Sequence, residues 1–259
     1  AGDFDFGPRG YRPTIAYWDS PDRLAHKTPE ISPWAYCSGN PIRYNDFSGD
    51  TIKVVIAAQE LSWLEREGKW DFYDGQEVYN GKDKFVASVK AALENIMTGG
   101  PVGNALVTSL ANDKRVAKIS EAMHGKGSVT DRNLNWIAWN QNGAEIPTTK
   151  GKQVNPAIDL AHELAHVQYN WSGGTYDLWP DVPLDNGTPI TVADIYTTHI
   201  ENKIRAEQGL PLRTCYMDLP NGKTYGKIIN TRKRTSKYFD VNEKQYPKKL
   251  PANVQPYRY

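Results

Sequence analysis

Apolar residues recur at the spacing of an α-helix in four segments of the chain. In residues 83–97 they fall on one side of the helix, at Phe85, Val86, Val89, Ala92, Leu93 and Ile96. Two glycines end this segment, and Pro101 is suited to begin a second helix that runs to about Ala111. The pattern therefore predicts two consecutive helices.

The other two predicted helices have clear starts. Asn155 is a good N-cap and Pro156 a good first residue, so we expect a helix over residues 155–170. The segment Thr191-Val-Ala-Asp194 has the form of a capping box. It predicts a helix that ends near Gln208, because a glycine follows.

Several segments predict strands. Residues 51–57 have the pattern of a buried strand, and residues 70–79 that of a hairpin turning at Asp74-Gly75. Residues 116–122 and 133–139 are the next predicted strands. Residues 58–67 are interpreted as helical. This mixture of helices and strands indicates an α+β fold.

The third predicted helix carries His162-Glu163-Leu-Ala-His166, an H-E-x-x-H motif. Residues four apart on a helix differ by about 40° in direction, so both imidazoles leave one face and can bind one metal ion. Glu163 lies beside them, where it can take a proton from a water held by the metal. A helix that carries two histidines by chance is the alternative. We predict a Zn²⁺ site with Glu163 as catalytic base.

A hydrolytic zinc site needs a third protein ligand and an open position for water. The fourth predicted helix offers Asp194, His199 and Glu201. Positions 199 and 201 point about 200° apart, so both cannot face the metal. We predict Glu201, which lies mid-helix, and keep His199 and Asp194 as alternatives. Each has another explanation: Asp194 as the capping-box acid, His199 as a packed histidine, and Glu201 as the partner of Arg205 in an ion pair on the surface.

The composition is that of an ordinary soluble globular protein. The 259 residues are 39% hydrophobic, carry a formal net charge of +1 and suffice for one or two domains. No apolar run is long enough to span a bilayer, and the first residues do not resemble a signal peptide. Cys37 and Cys215 are far apart in sequence, and we expect two free thiols.

Spaced blocks in the first 50 residues form a specific pattern. They are Phe6-Gly-Pro-Arg-Gly-Tyr-Arg-Pro13, Tyr17-Trp-Asp-Ser-Pro-Asp22, Ser32-Pro-Trp-Ala-Tyr-Cys-Ser-Gly-Asn-Pro-Ile42 and Tyr44-Asn-Asp-Phe-Ser-Gly-Asp50. They resemble the end of the core domain of RHS-repeat proteins, with Asp46-Phe-Ser-Gly49 where that family usually has Asp-Pro-x-Gly. In that family the shell ends at this junction and a variable toxin domain begins.

This resemblance implies an RHS core remnant in residues 1–50 and a toxin domain in residues 51–259. It implies that the domain is secreted or exported as part of a larger bacterial toxin and acts in the cytoplasm of a target cell. The implied partners are the RHS shell of the parent chain, a cognate immunity protein and a protein substrate, with no membrane.

A second resemblance covers residues 155–216. The H-E-L-A-H motif, followed by Glu201-Asn-Lys-Ile-Arg205 and Arg213-Thr-Cys-Tyr216, is similar to the NleD-type effector metallopeptidases. It is similar, more distantly, to the clostridial neurotoxin light chains. Those light chains use a Glu on the next helix as third ligand and place an Arg-x-x-Tyr pair near the substrate carbonyl.

The implied site has zinc ligands His162, His166 and Glu201, and the oxyanion is stabilised by Arg213 or Tyr216. The implied fold is a zincin-like α+β fold, a mixed sheet with the H-E-x-x-H active-site helix and a second ligand-bearing helix. In zincins an edge strand upstream of the metal helix pairs with substrate. Residues 134–140 are the candidate edge strand, and an interior strand is the alternative.

Residues 211–259 are basic, with 11 Lys and Arg against 3 Asp and Glu. Tyrosines lie among these charges, a combination that can bind nucleic acid but more often covers a solvated surface. The leading prediction is a zinc-dependent endopeptidase that acts as the toxin domain of an RHS-type polymorphic toxin. The alternatives are a nucleic-acid-targeting toxin and a non-catalytic binding module, in which the metal would be structural.

Overall fold

The computed structural model describes residues 52–57, 59–75, 77–131, 135–175, 190–218, 224–246 and 249–259. It also describes three short strands near the start, β1 (Phe4–Asp5), β2 (Gly10–Arg12) and β3 (Tyr17–Trp18), which pair as an antiparallel sheet. The remaining parts of the RHS-like blocks, the boundary at residue 50 and Cys37 lie outside these residues, so those predictions stay predictions.

The chain divides into two compact units. The first contains Ala1–Asp83 and Leu110–Lys118, the second Lys84–Ser109 and Ile119–Tyr259. Four consecutive strands of the first unit pair in an antiparallel meander: β4 (Ile52–Ile56), β5 (Gln59–Arg66), β6 (Lys69–Asp74) and β7 (Glu77–Val78). The predicted strand over 51–57 is confirmed, and so is the hairpin at Asp74-Gly75, where Gly75 has a positive φ of 61°.

The helix predicted over residues 58–67 is wrong, because this segment is strand β5. Gln59 pairs with Ile56 of β4, and Leu61 and Trp63, two residues apart, are both fully buried. This period of two is the strand period. The ring of Trp63 also packs on Phe72 of β6 with centroids 4.9 Å apart, a contact between strands that local propensity cannot reveal.

The second unit is a mixture of helices and strands, and the described part of the chain contains four helices. The helices are α1 (Lys84–Thr98), α2 (Pro101–Ala111), α3 (Pro156–Trp171) and α4 (Val192–Glu207). The strands are β8 (Ala117–Glu121), β9 (Val129–Asp131), β10 (Trp136–Trp139), β11 (Glu145–Thr148), β12 (Gly151–Val154), β13 (Cys215–Asp218), β14 (Thr224–Lys227), β15 (Ile229–Asn230), β16 (Thr235–Asp240) and β17 (Pro256–Arg258). Residues 110–118, the end of α2 and the start of β8, count with the first unit. The predicted α+β class and all four predicted helices are confirmed.

Strand β10 lies between β8 and β9 in its sheet. The prediction of an edge strand at residues 134–140 is therefore wrong: the strand described there, β10, is an interior strand, as in the alternative interpretation, with Trp139 buried and the Trp136 indole donating to Ser120 Oγ at 2.6 Å. Strand β9, which the sequence pattern did not predict, takes the outer position and pairs antiparallel with β10.

Helix α3 packs against both α1 and α4, and this places its polar motif in the interior of the second unit. The basic C-terminal segment contributes the antiparallel sheet β15–β16–β17, whose apolar residues form a buried cluster with α4. The members of that cluster are Ile190, Ile195, Leu212, Ile228, Ile229, Tyr238 and Phe239. No helix in the described ranges is long and apolar enough to cross a bilayer.

Candidate metal and active site

Helix α3, which carries the H-E-x-x-H residues, has a capped N-terminus. The Asn155 side chain accepts a hydrogen bond from Ile158 N at 3.2 Å, as expected of an N-cap. His162 and Glu163 are buried, with 6% and 7% of their surface exposed. The rings of His162 and His166 lie 5.1 Å apart, centroid to centroid, in an edge-to-face arrangement. The predicted common face of the two imidazoles is confirmed.

The two ring nitrogens of His162 face different residues of α4. Nδ1 lies 3.0 Å from Glu201 Oε2, and Nε2 lies 3.2 Å from Thr197 Oγ1. A carboxylate against Nδ1 favours the tautomer with its proton on Nδ1, which leaves a lone pair on Nε2. The hydroxyl of Thr197 also donates to the backbone oxygen of Asp194 at 3.1 Å.

Glu201 is held on both oxygens by arginines. Arg205 Nε donates to Oε1 at 2.7 Å, and Arg213 Nη1 donates to Oε2 at 2.7 Å. Burial raises the pKa of Glu201, but the guanidiniums of Arg213 and Arg205 outweigh it, so the pKa lies well below the ordinary value. Glu201 is therefore an ionised carboxylate in the interior, surrounded by hydrogen-bond donors. The ion pair with Arg205 is buried, whereas the sequence interpretation placed it on the surface.

Arg213 connects Glu201 to the segment that carries Tyr216. Its Nε donates to the backbone oxygen of Cys215 at 3.1 Å and its Nη2 to that of Tyr216. Asn202 holds the Arg213 backbone from both sides, with hydrogen bonds of 2.7 Å and 3.0 Å. The structure thus brings Arg213 and Tyr216 to the site, with the guanidinium fixed by three oxygen acceptors. Cys215 is buried.

Asp194, on the first turn of α4, uses its two oxygens differently. Oδ2 accepts from Thr191 N at 2.7 Å and Thr191 Oγ1 accepts from Asp194 N at 3.2 Å, and these two hydrogen bonds form the predicted capping box. The Thr191 hydroxyl also donates to Oδ2 at 2.9 Å. Oδ1 accepts from the Tyr216 hydroxyl at 3.1 Å and lies 3.6 Å from His166 Nε2. Burial lowers the pKa of His166 well below the ordinary value, so this imidazole is neutral near pH 7.

Glu163 contacts the outer strand β9. Thr130 Oγ1 donates to Glu163 Oε2 at 2.6 Å and also lies 3.2 Å from the Glu163 backbone oxygen. Burial raises the pKa of the Glu163 carboxyl, while His162 and the Thr130 hydrogen bond act in the opposite direction. Ser128 donates a second hydrogen bond of this kind to Asp159, which lies one helical turn before Glu163 on α3. Burial also raises the pKa of the Asp159 carboxyl. Strand β9 and the residue before it therefore supply two hydroxyls to α3.

His199 lies in a separate aromatic cluster. Its ring stacks on Phe239 with centroids 3.8 Å apart, and its Nδ1 contacts the Tyr259 hydroxyl at 2.7 Å. Burial lowers the pKa of His199 to about 3. Among the described residues its buried Nε2 has no hydrogen-bond partner. These contacts fit the interpretation of His199 as a packed histidine.

The donor set suits zinc chemically. Two imidazoles and carboxylates from a facing helix are the ligands that Zn²⁺ takes in hydrolytic sites. Within the described ranges no three His, Cys, Asp or Glu side chains are gathered as a complete metal cluster. Instead the candidate ligands pair with one another, His162 with Glu201 and His166 with Asp194.

Sequence reasoning missed the residues that support the motif. Thr130 lies on a strand whose short pattern, Val129–Asp131, gives no strand signal of its own, and Ser128 immediately precedes that strand. The contact between Arg213 and Glu201 depends on the turn after α4, which no local pattern reports. Only the pair of Glu201 with Arg205 has a sequence signal, the spacing of four residues on one helix.

The chain was also compared with known protein families, curated proteins and solved structures. Residues 74–181 match the model of a peptidase family, Peptidase_M91, which is described as "Effector protein". The matched range includes α3 with His162, Glu163 and His166, and it ends before α4. No curated protein and no solved structure matches the chain. Over residues 74–181 the chain is therefore similar to a family of effector peptidases, and this similarity supports a metallopeptidase effector domain.

Proposed function

We propose that this chain is a zinc-dependent endopeptidase that acts as the C-terminal toxin domain of an RHS-type polymorphic toxin. The observation that carries the proposal is the buried face of α3, where two imidazoles lie 5.1 Å apart beside the carboxylate of Glu163. His162 and His166 would hold the metal together with a carboxylate of α4. Zinc, when bound, supplies Lewis acidity and makes an attacking water more acidic.

Glu163 is the general base of the proposed reaction. It takes a proton from the attacking water and passes it to the leaving amide nitrogen. The Thr130 hydrogen bond to Oε2 fixes the carboxylate and leaves Oε1 to face the water. Burial, which raises the pKa of this carboxyl, brings the base closer to the pH at which it must both accept and release a proton.

Tyr216 is the better candidate for stabilising the oxyanion. Burial and the nearby Asp194 raise the pKa of its phenol above the ordinary value, so the hydroxyl stays a hydrogen-bond donor at any physiological pH. The predicted alternative, Arg213, has its guanidinium engaged by Glu201 and by two backbone carbonyls. We assign Arg213 to holding the segment that carries Tyr216.

Strand β9 offers an extended substrate a place to bind. It is the outer strand of its sheet, and its residue Val129 is 59% exposed. A peptide that pairs with β9 would lie next to Thr130 and hence close to Glu163. The proposed substrate is a protein of a target cell, as the effector description of the matching family suggests. The RHS shell and the cognate immunity protein rest on the sequence blocks of residues 1–50.

The test combines metal analysis with a peptide-library cleavage assay on the purified chain and on Glu163→Gln. We expect about one zinc per chain in both proteins, cleavage by the wild type, and loss of at least about 10²–10⁴ in rate in the variant. His162→Ala should lose the metal. Well-folded wild type without a stoichiometric transition metal would refute the proposal. Full toxicity of zinc-loaded Glu163→Gln in a target cell would favour the nucleic-acid alternative instead.

A further inference from the structure

Two successive turns of α4 contact the histidines of α3 through different ring nitrogens. Asp194 and Thr197, three residues apart, lie against the Nε2 atoms of His166 and His162, at 3.6 Å and 3.2 Å. Glu201, one turn further along, lies behind His162, against Nδ1. The Nε2 atoms of both imidazoles therefore face the first half of α4.

The surroundings of Glu201 do not favour a cation. Each of its oxygens accepts a hydrogen bond from a buried guanidinium at 2.7 Å, and Oε2 also faces His162 Nδ1. Arg205 and Arg213 are 1% and 9% exposed, so their charges are poorly screened. A divalent metal at this carboxylate would lie close to two positive charges, and its oxygens would have to give up their present donors.

Asp194 has the geometry of a metal ligand. Its Oδ1 is 3.6 Å from His166 Nε2, too long for a hydrogen bond but close to the spacing of two ligands on one metal. Two donor atoms bound tetrahedrally to zinc at about 2.0 Å lie about 3.3 Å apart. The capping box fixes the carboxylate through Oδ2, and Tyr216 orients Oδ1 from the other side.

We infer that Asp194 is the third metal ligand, beside the Nε2 atoms of His162 and His166, and that Glu201 is a positioning residue for His162. This inference rests on the proposed function. Glu201 accepts the Nδ1 proton of His162, which sets the tautomer and leaves Nε2 facing Thr197 in the first half of α4, one turn after Asp194. Arg205 and Arg213 keep Glu201 ionised and in place.

The experiment compares zinc affinity, measured against a competing chelator, and the visible spectrum of the Co²⁺-substituted full chain. Asp194→Asn keeps an oxygen acceptor for the capping box but removes the charged ligand. We expect it to lose stoichiometric zinc and to change the Co²⁺ spectrum. Glu201→Gln should keep one zinc per chain and the wild-type spectrum, with affinity about 10–100-fold weaker.

Two further variants separate metal binding from folding. Thr191→Ala weakens the capping box while Asp194 is retained, so it should keep zinc even though its thermal midpoint falls. His199→Asn, in the aromatic cluster of the same helix, is the matched control and should bind zinc as the wild type does. Circular dichroism of each metal-free variant shows whether the chain is folded.

The outcomes distinguish the two proposals. If zinc-loaded wild type cleaves peptides and Asp194→Asn binds zinc with unchanged affinity and spectrum, the ligand assignment is wrong and the proposed function stands. Loss of stoichiometric zinc in folded Glu201→Gln, with retention in Asp194→Asn, would make Glu201 the ligand. Wild type that binds no zinc would overturn both.

Discussion

Thr130 of strand β9 donates a hydrogen bond of 2.6 Å to the carboxylate of Glu163 on α3. The strand proposed to bind substrate and the residue proposed to activate water are thus in direct contact. A peptide added to β9 would bind beside the residue that holds the general base. In the proposed mechanism, substrate binding and orientation of the base would therefore depend on the same short strand.

This contact gives the first prediction. Thr130→Val keeps the shape of the side chain but removes the donor, so Glu163 loses its fixed orientation. We expect kcat to fall by about tenfold or more, since misplaced catalytic groups are costly, while zinc stoichiometry stays at the wild-type level. Thr130→Ser restores the hydroxyl and should recover most of the rate. Equal kcat in Thr130→Val and wild type would show that the hydrogen bond has no catalytic role.

The second prediction concerns Tyr216. Tyr216→Phe retains the ring but removes the hydroxyl that donates to Asp194. The hydroxyl has one proton, so to stabilise the oxyanion it has to turn from Asp194 to the substrate; in that case kcat measured at saturating zinc should fall by about 10²–10³. Zinc affinity should change by tenfold or less, because the hydroxyl only supports the carboxylate. A variant with weaker zinc binding but normal kcat would limit Tyr216 to orienting Asp194.

The third prediction concerns acid stability. Burial lowers the pKa of His199 to about 3 in the folded chain, against an ordinary value of 6.5. The unfolded chain therefore binds a proton that the folded chain does not, and folding stability falls as the pH drops from 6.5 toward 3. The loss amounts to about 5 kcal/mol from this group at full effect. Denaturant unfolding across this pH range measures it.

The control for this prediction is His199→Asn, which keeps an acceptor near the Nδ1 position for the Tyr259 hydroxyl and does not titrate. Its stability should depend less steeply on pH between 6.5 and 3, although His166 and the carboxyl groups still contribute. Parallel curves for the two proteins would mean that His199 is not protonated on unfolding in this range.

The fourth prediction concerns the buried charges. Arg205→Met removes one of the two guanidiniums that hold Glu201, and breaking a buried pair in this way costs about 3–5 kcal/mol of stability. The exposed pair of Arg115 with Asp113 is the comparison, since the Arg115 side chain is 48% exposed. Arg115→Met should cost about 1 kcal/mol or less. Similar losses in the two variants, measured by chemical denaturation, would contradict the burial argument.

The helices were predictable because their signals are local. Asn155 and Thr191 cap α3 and α4 as the sequence indicates, and the periodicity of His162 and His166 follows from the helix alone. Strand β5 was mistaken for a helix because its conformation depends on pairing with two other strands. The position of Asp194 against His166 likewise depends on the packing register of α3 and α4, which no segment of either helix specifies by itself.

Because Asp194 both caps α4 and is the proposed zinc ligand, the step of folding at which the chain can bind zinc is determined by this residue. One carboxylate both begins α4 through Thr191 and points an oxygen at His166. If the first turn of α4 frays, that oxygen is withdrawn; if the turn re-forms, it returns. A domain that reaches its site of action unfolded would then hold no zinc in transit. It would gain its metal and its helix start in a single late step of refolding, so that partly folded chains are inert.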